Sequence, residues 1–196
     1  MKKNIVILFL SATALLISQA LWAQSVTPDD YIAEASQAML ETSAISDPDA
    51  RKEALNNVLD QYFDLSVVSQ GVVGSHRDTL NAEQMARFEI EFQTALAGLM
   101  FIALESVGEF EMDIDEPQMR DENRGQVLVE VKTQSQGDLD FLFSLVRDGD
   151  NWNVANLIVS GVNLGLTYRN QFNELMLNNN NDADLAIDEW SSTVSL

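Results

Sequence analysis

The stretch N-W-N-V-A-N-L-I-V-S-G-V-N-L-G-L-T-Y-R-N-Q-F, residues 151–172, decides how the rest of the chain is read. Its first half alternates like a strand, with Trp152, Val154 and Ile158 on one face and Leu157 and Val159 on the other. At Gly161 the period changes. Val162, Leu166 and Arg169 then form one helical stripe, and Leu164, Tyr168, Phe172 and Leu175 the next. A residue without Cβ accepts the φ values that such a change of direction needs. A strand apolar on both faces, running into an amphipathic helix, makes a wall and a corner of an apolar interior. No nucleophile is paired with a base along it, so the stretch speaks for burial and not for chemistry.

Upstream of it lie helices. Thr27-Pro28 reads as an N-cap with proline at the first helical position, and Ile32, Ala35, Ala38 and Met39 continue a stripe to about Glu41. Ser46-Asp47-Pro48 opens a second helix, with Leu55, Val58, Leu59 and Tyr62 on its buried face. Phe63–Val73 is a short apolar helix ending near Gly71 or Gly74. Asn81 and Gln84 form a capping box for the longest helix, which runs to about Val107 before Gly108. Met85, Phe88, Phe92, Leu96, Leu99 and Ala103 step along one side of it. Its second half, A-L-A-G-L-M-F-I-A-L, is apolar nearly all round and should be buried on more than one side, as a core helix or as the lid of a cavity.

Four strands follow in the reading. Phe110, Met112 and Ile114 alternate with acids; Val127, Val129 and Val131 alternate with Leu128 and Glu130; Leu139, Phe141, Phe143 and Leu145 alternate with Asp140, Leu142 and Ser144. The opening stretch supplies the fourth. Gly137 and Asp148-Gly149-Asp150 serve as hairpin turns. The architecture is therefore α+β, with N-terminal helices packed on a curved four-stranded antiparallel sheet and a closing C-terminal helix. A polar loop from Asn178 to Asp184 precedes a short helix around Leu185–Trp190.

The chain starts Met1-Lys2-Lys3, continues as an apolar run from Ile5 to Ile17 and reaches Leu21-Trp22-Ala23-Gln24. That is the pattern of a secretory signal (1–23) cut after Ala23, leaving 24–196 as a single domain. Both lysines leave with the signal, so 9 basic residues face 31 acidic ones and the formal charge moves from −20 to −22. Such a charge repels nucleic acid and anionic membrane surfaces. With no cysteine, neither a disulfide nor a lipid anchor on a first-residue thiol is available.

Chemistry is sparse. The one histidine, His76, sits in the polar segment Gly74–Leu80 and reads as an exposed surface residue, since a metal site wants three or four clustered ligands. The pairs Asp113/Asp115, Asp138/Asp140 and Asp148/Asp150 lack the glycine and glutamate of a calcium loop. Phosphate-loop and zinc-protease patterns are missing. Neither a catalytic residue nor a metal or other cofactor is expected. A carboxylate base in an apolar pocket remains the one enzymatic alternative.

The ordered set Phe63-Asp64-Leu65, Val73-Gly74, Arg77, Leu80-x-x-x-Gln84-x-x-x-Phe88-x-x-x-Phe92, Trp152-x-Val154-x-x-x-x-Val159-x-Gly161-Val162 and Tyr168-Arg169-x-Gln171-Phe172 resembles the MlaC family. These are periplasmic phospholipid-binding (toluene-tolerance auxiliary) components of a lipid transport system. The similarity runs from about Pro28 to Trp190, with Asn156 where the family usually has aspartate and Asn163 where it usually has serine. The resemblance implies an NTF2-like sheet and a deep apolar cavity for acyl chains, with the headgroup outside. Its lining is expected from Val68, Phe92, Leu96, Met100, Val129, Phe141, Phe143, Trp152, Val154, Val159, Val162, Leu166 and Tyr168, with Val162 at the corner near the mouth. It further implies a monomeric carrier of phospholipid, shuttling between an outer-membrane lipoprotein–porin complex and an inner-membrane ABC transporter. The rival readings are an NTF2-like enzyme with a buried carboxylate, a carrier of another hydrophobic ligand, and an adaptor with a filled core.

Overall fold

A computed structural model describes residues 26–107, 110–133 and 137–194. The expected secretory signal (1–23) and Gly108 lie outside the described residues. Helices α1 (Pro28–Thr42) and α2 (Pro48–Tyr62) start as their sequences dictate. The Thr27 hydroxyl accepts from the Asp30 N–H at 3.4 Å, and the Asp47 carboxylate from the Ala50 N–H at 2.8 Å. Helix α3 (Leu65–Val73) begins two residues later than its apolar composition indicates. Asp64 caps it, and Phe63 instead forms a bridge to Val154 of the sheet. Gly74 ends α3 at φ +61° and a 3-10 turn over Gly74–His76 follows. Helix α4 (Ala82–Val107) opens with the reciprocal Asn81–Gln84 capping box, at 3.0 and 2.9 Å.

The strands are β1 (Phe110–Ile114), β2 (Gln118–Asp121), β3 (Arg124–Thr133), β4 (Gly137–Asp148), β5 (Asn151–Val159) and β6 (Val162–Asn163). They form one antiparallel sheet in the order β1-β3-β4-β5-β6, with β2 also paired to β3. The four strands read from the sequence are β1, β3, β4 and β5. The two short additions correct the count to six. Gln-Met-Arg-Asp carries no apolar alternation, so β2 leaves no period-two signal. β6 is created by a tight turn in which Ser160 (φ +45°) and Gly161 (φ +85°) both adopt left-handed backbone and Val159 pairs with Val162.

A second correction concerns the faces of β5. Pairing with β4 passes from Ser144↔Asn156 to Leu145↔Val154, which leaves Ala155 as an extra residue. This bulge inverts the alternation beyond it. Leu157 and Val159, opposite Phe143 and Phe141, therefore share a face with Trp152 and Val154, and Ile158 takes the other.

Helix α5 (Leu164–Asn178) is capped by Asn163, whose side-chain oxygen accepts from the Leu166 N–H at 2.9 Å. Serine can make the same bond, so the departure from the family residue preserves the cap. Asn163→Ala is expected to lower the unfolding free energy by about 1 kcal/mol and Asn163→Ser to leave it within a few tenths, measured by urea denaturation. The asparagine run is tighter than a loop. Asn180 and Asn181 take positive φ, and the Asp182 carboxylate accepts from Asp184 and Leu185 to start α6 (Ala183–Val194). The last two helices thus pack as a short-linked pair.

Helix α4 packs on α2, α3 and α6, while the sheet packs on α1, α2, α3 and α5. Phe88, Phe92, Phe172, Met176, Ile187 and Trp190 close the helical core. A separate core joins Ile32 of α1 to the sheet through Val127, Val129, Leu145, Trp152 and Val154. The second half of α4 does not match the expectation of burial on several sides. Leu99 and Ile102 are 42% and 49% exposed, because α2, α3 and α6 cover only one side of the helix.

Candidate functional site

Register places Val127, Val129, Val131, Leu139, Phe141, Phe143, Leu145, Val154, Leu157 and Val159 on one face of the sheet. The centre of this face is closed by buried valines. Towards its β4–β5 side, Leu139, Phe141, Phe143, Leu157 and Val159 are only half-buried. A second set of half-buried apolar side chains, Met39, Leu96, Met100, Phe101 and Leu104, surrounds the small core of Leu55, Leu59, Leu65 and Ala97. Phe63 packs against both. Its position follows from the Asp64 cap and the bridge to Val154, which hold the end of α2 against β5.

The residues expected to line one cavity are thereby divided. Val129, Phe141, Phe143, Trp152 and Val154 belong to the sheet core. Val68, Phe92 and Tyr168 belong to the helical core, where the Tyr168 ring meets Phe92 edge-on at 5.9 Å and burial pushes its phenol pKa up. Leu96 touches both helical clusters, and Met100 joins the one around Leu55. Val159 is half-buried on the inner face. Val162 and Leu166 are corrected: at 53% and 51% exposed, neither forms a dry wall. The Ser160–Gly161 reversal and the Asn163 cap turn that corner within four residues and leave both side chains outside.

Tyr168-Arg169-x-Gln171-Phe172 has a structural logic that spacing alone does not expose. Phe172 is buried at the centre of the helical core. The Arg169 Nε donates to the Gly71 carbonyl at 2.6 Å, and its stem runs beside Gly74, where a Cβ would come within 3.2 Å. The close approach of α5 to α3 therefore favours glycine at position 74, whose φ of +61° also suits it, whereas a Cβ on Gly71 would meet Arg169 at an ordinary 3.8 Å. The signal that could have revealed it is a glycine, Gly74, at the end of a short apolar helix. His76, expected on the surface, is half-buried instead. Its Nε2 lies 2.9 Å from the Asn173 side-chain oxygen and its ring stands edge-on to Phe172, which ties the 3-10 turn to α5.

For catalysis the described residues offer little. Their buried polar side chains are Ser36, Thr42 and Ser69, with no carboxylate among them. The paired acids are all exposed. No three His, Asp or Glu side chains among the described residues are grouped to hold a metal. Burial, the neighbouring Tyr62 and Glu34 push the Tyr31 phenol up to about 12. A folded-state pKa above the ordinary 10 favours folding below pH 10 and loses that contribution as pH rises towards 12. Stability is therefore expected to fall over that alkaline window, and Tyr31→Phe to flatten that part of the pH profile of thermal unfolding.

A family profile described as MlaC protein matches residues 29–192. The chain belongs to the MlaC family. It is 30% identical over 151 residues to toluene tolerance protein ttg2D of Pseudomonas putida, covering 76% of this chain and 70% of that protein. Its fold is similar to that of a phospholipid-binding protein from Ralstonia solanacearum solved in complex with a phospholipid. That comparison has a TM-score of 0.73 at 19% identity, over 87% of this chain and 99% of the other. An MlaC-type α+β fold, helices before an antiparallel sheet and a helix at the end, is thus common to both. No described helix is long and apolar enough to cross a membrane.

Proposed function

We propose that this MlaC-family protein is a periplasmic phospholipid carrier, exported by residues 1–23 and working as a single lipid-binding domain over 24–196. The observation that carries the reading is the pair of half-buried apolar linings joined at Phe63, one on the sheet and one on α2 and α4. In a filled core these large side chains would be fully buried. Their incomplete burial is what a pocket that separates around acyl chains requires, and a relative of the same fold holds a phospholipid.

The energetics suit a carrier. Two acyl chains bring roughly thirty methylenes, each worth about 0.8 kcal/mol out of water, so affinity against water needs no headgroup contact. A bilayer keeps the chains equally dry, so exchange with it is near balance. Direction then comes from partners, an outer-membrane lipoprotein–porin complex and an inner-membrane ABC transporter. The acidic surface limits adsorption to anionic lipid in transit.

Protein purified from a Gram-negative host and extracted with organic solvent is expected to yield diacyl phospholipid near one per chain by mass spectrometry. Delipidated protein is expected to reload when the membrane partners and liposomes are supplied. Empty extracts together with no reloading would overturn the carrier reading; an extracted non-lipid ligand would replace phospholipid as the cargo.

A further inference from the structure

The apolar lining on α2 and α4 ends in positive charge. The two helices run antiparallel: the Gln93 side-chain amide of α4 donates to Asp60 and to the Asn56 carbonyl of α2 at 2.9 and 3.3 Å, and Arg51 pairs with Glu105. From Phe63 back to Arg51 the lining therefore runs about 18 Å, at 1.5 Å per helical residue. At its far end the half-buried Phe101 ring carries two cations, the Arg51 guanidinium 5.2 Å and the Lys52 ammonium 5.8 Å from its centroid. With 31 acidic residues against 11 basic ones in the chain, two adjacent cations on one apolar ring run against the prevailing charge. The sheet lining ends at the same place. Val107 closes α4 and Phe110 starts β1 three residues later, so at most about 11 Å separates them. Phe110 pairs with Thr133 beside the β3–β4 hairpin, and the half-buried Leu139 and Phe141 lie towards that end of the inner face.

The two cations differ in freedom. The Arg51 side chain is 13% exposed, its Nε donates to the Ile45 carbonyl at 2.8 Å, and Glu105 balances its charge. Lys52 is exposed and forms no ion pair with another described residue. A compact ammonium on a flexible stem, held over a ring where two apolar linings end, is placed for an anion joined to acyl chains. Resting on the carrier reading, we infer that Lys52 contacts the phosphate of the bound lipid and sets a preference for it over an uncharged diacylglycerol of the same chains. The acyl chains supply retention and serve both lipids equally. The ammonium supplies discrimination, because only the phospholipid brings a charge to pair with it. A free phosphate offers the same oxygens and is the other source of this chemistry.

In the test, protein stripped of lipid by unfolding is refolded in detergent micelles holding equal amounts of dioleoyl phosphatidylglycerol and dioleoylglycerol. Mass spectrometry reads the ratio bound, and inorganic phosphate is titrated in parallel by calorimetry. The parent is expected to favour the phospholipid. Lys52→Gln should cut that preference about threefold to fivefold, the upper range of one exposed charge pair, with total lipid unchanged. Lys52→Glu should cut it further. Lys132, the other lysine of the described residues, is flanked by Glu111 and Asp138 on neighbouring strands, and Lys132→Gln should leave the ratio as it is. Loaded protein with the same ratio in the parent and both Lys52 variants overturns the headgroup contact and leaves the carrier reading standing. A parent that refolds without either lipid overturns the carrier reading. Saturable phosphate binding lost in Lys52→Gln would then assign the ammonium to free phosphate, and no such binding overturns the anion site as well.

Discussion

Phe88→Ala is expected to lower the unfolding free energy by about 3–5 kcal/mol, the usual cost of emptying a filled aromatic site. Phe88 is fully buried, and its ring lies 4.8 Å from Phe172, 5.1 Å from Trp190 and 6.1 Å from Phe92. These contacts join α4 to α5 and α6, so relaxation around the hole would have to move two helices. Loss of edge and stacking contacts adds to the area term. Denaturant unfolding followed by circular dichroism measures it. A loss below about 1 kcal/mol would mean that the helical core collapses onto the gap and is not closely packed.

Phe143→Glu is expected to abolish co-purification of phospholipid while leaving a folded protein. Phe143 is half-buried on the inner face, between Val127 of β3 and Leu157 of β5. A carboxylate placed in an apolar lining costs several kcal/mol unless it finds a partner or water. At about 3 kcal/mol the retention of lipid falls by more than a hundredfold. The partial exposure of the site lets the charge reach solvent once lipid is absent, so the fold survives. Phe143→Leu keeps the lining apolar and should carry lipid as the parent does. Lipid mass spectrometry and circular dichroism on both variants give the answer. Full occupancy in Phe143→Glu would place the acyl chains somewhere other than against the inner face of the sheet.

Much of the architecture was written locally. Thr27, Asp47, Asn81 and Gln84 announce helix starts because a cap depends on two or three neighbouring residues. The valines of β3 and the phenylalanines of β4 announce strands because alternation is a property of one segment. The family itself was legible from the ordered blocks of Phe, Gly, Trp and Tyr-Arg. What remained hidden was set between segments. The bulge at Ala155 inverts half of β5 because β4 keeps its own register, and no residue in 151–159 records that on its own. β2 is defined by its pairing with β3, where Met119 lies opposite Gly125 and its sulfur would be 2.9 Å from a Cβ there. Val162 and Leu166 have core-like chemistry but lie outside, since burial depends on which elements cover a side chain and not on its hydropathy. An acidic–aromatic cavity gathers residues of α1 and α2 with the β4–β5 hairpin, which lies 86 positions or more further along (Tyr62 to Asp148), so only tertiary packing brings them together. Sequence determined the segments and the family because those signals are short-range. Structure decided faces, coverage and cavities because each is a relation between segments that the chain specifies only when all of them pack.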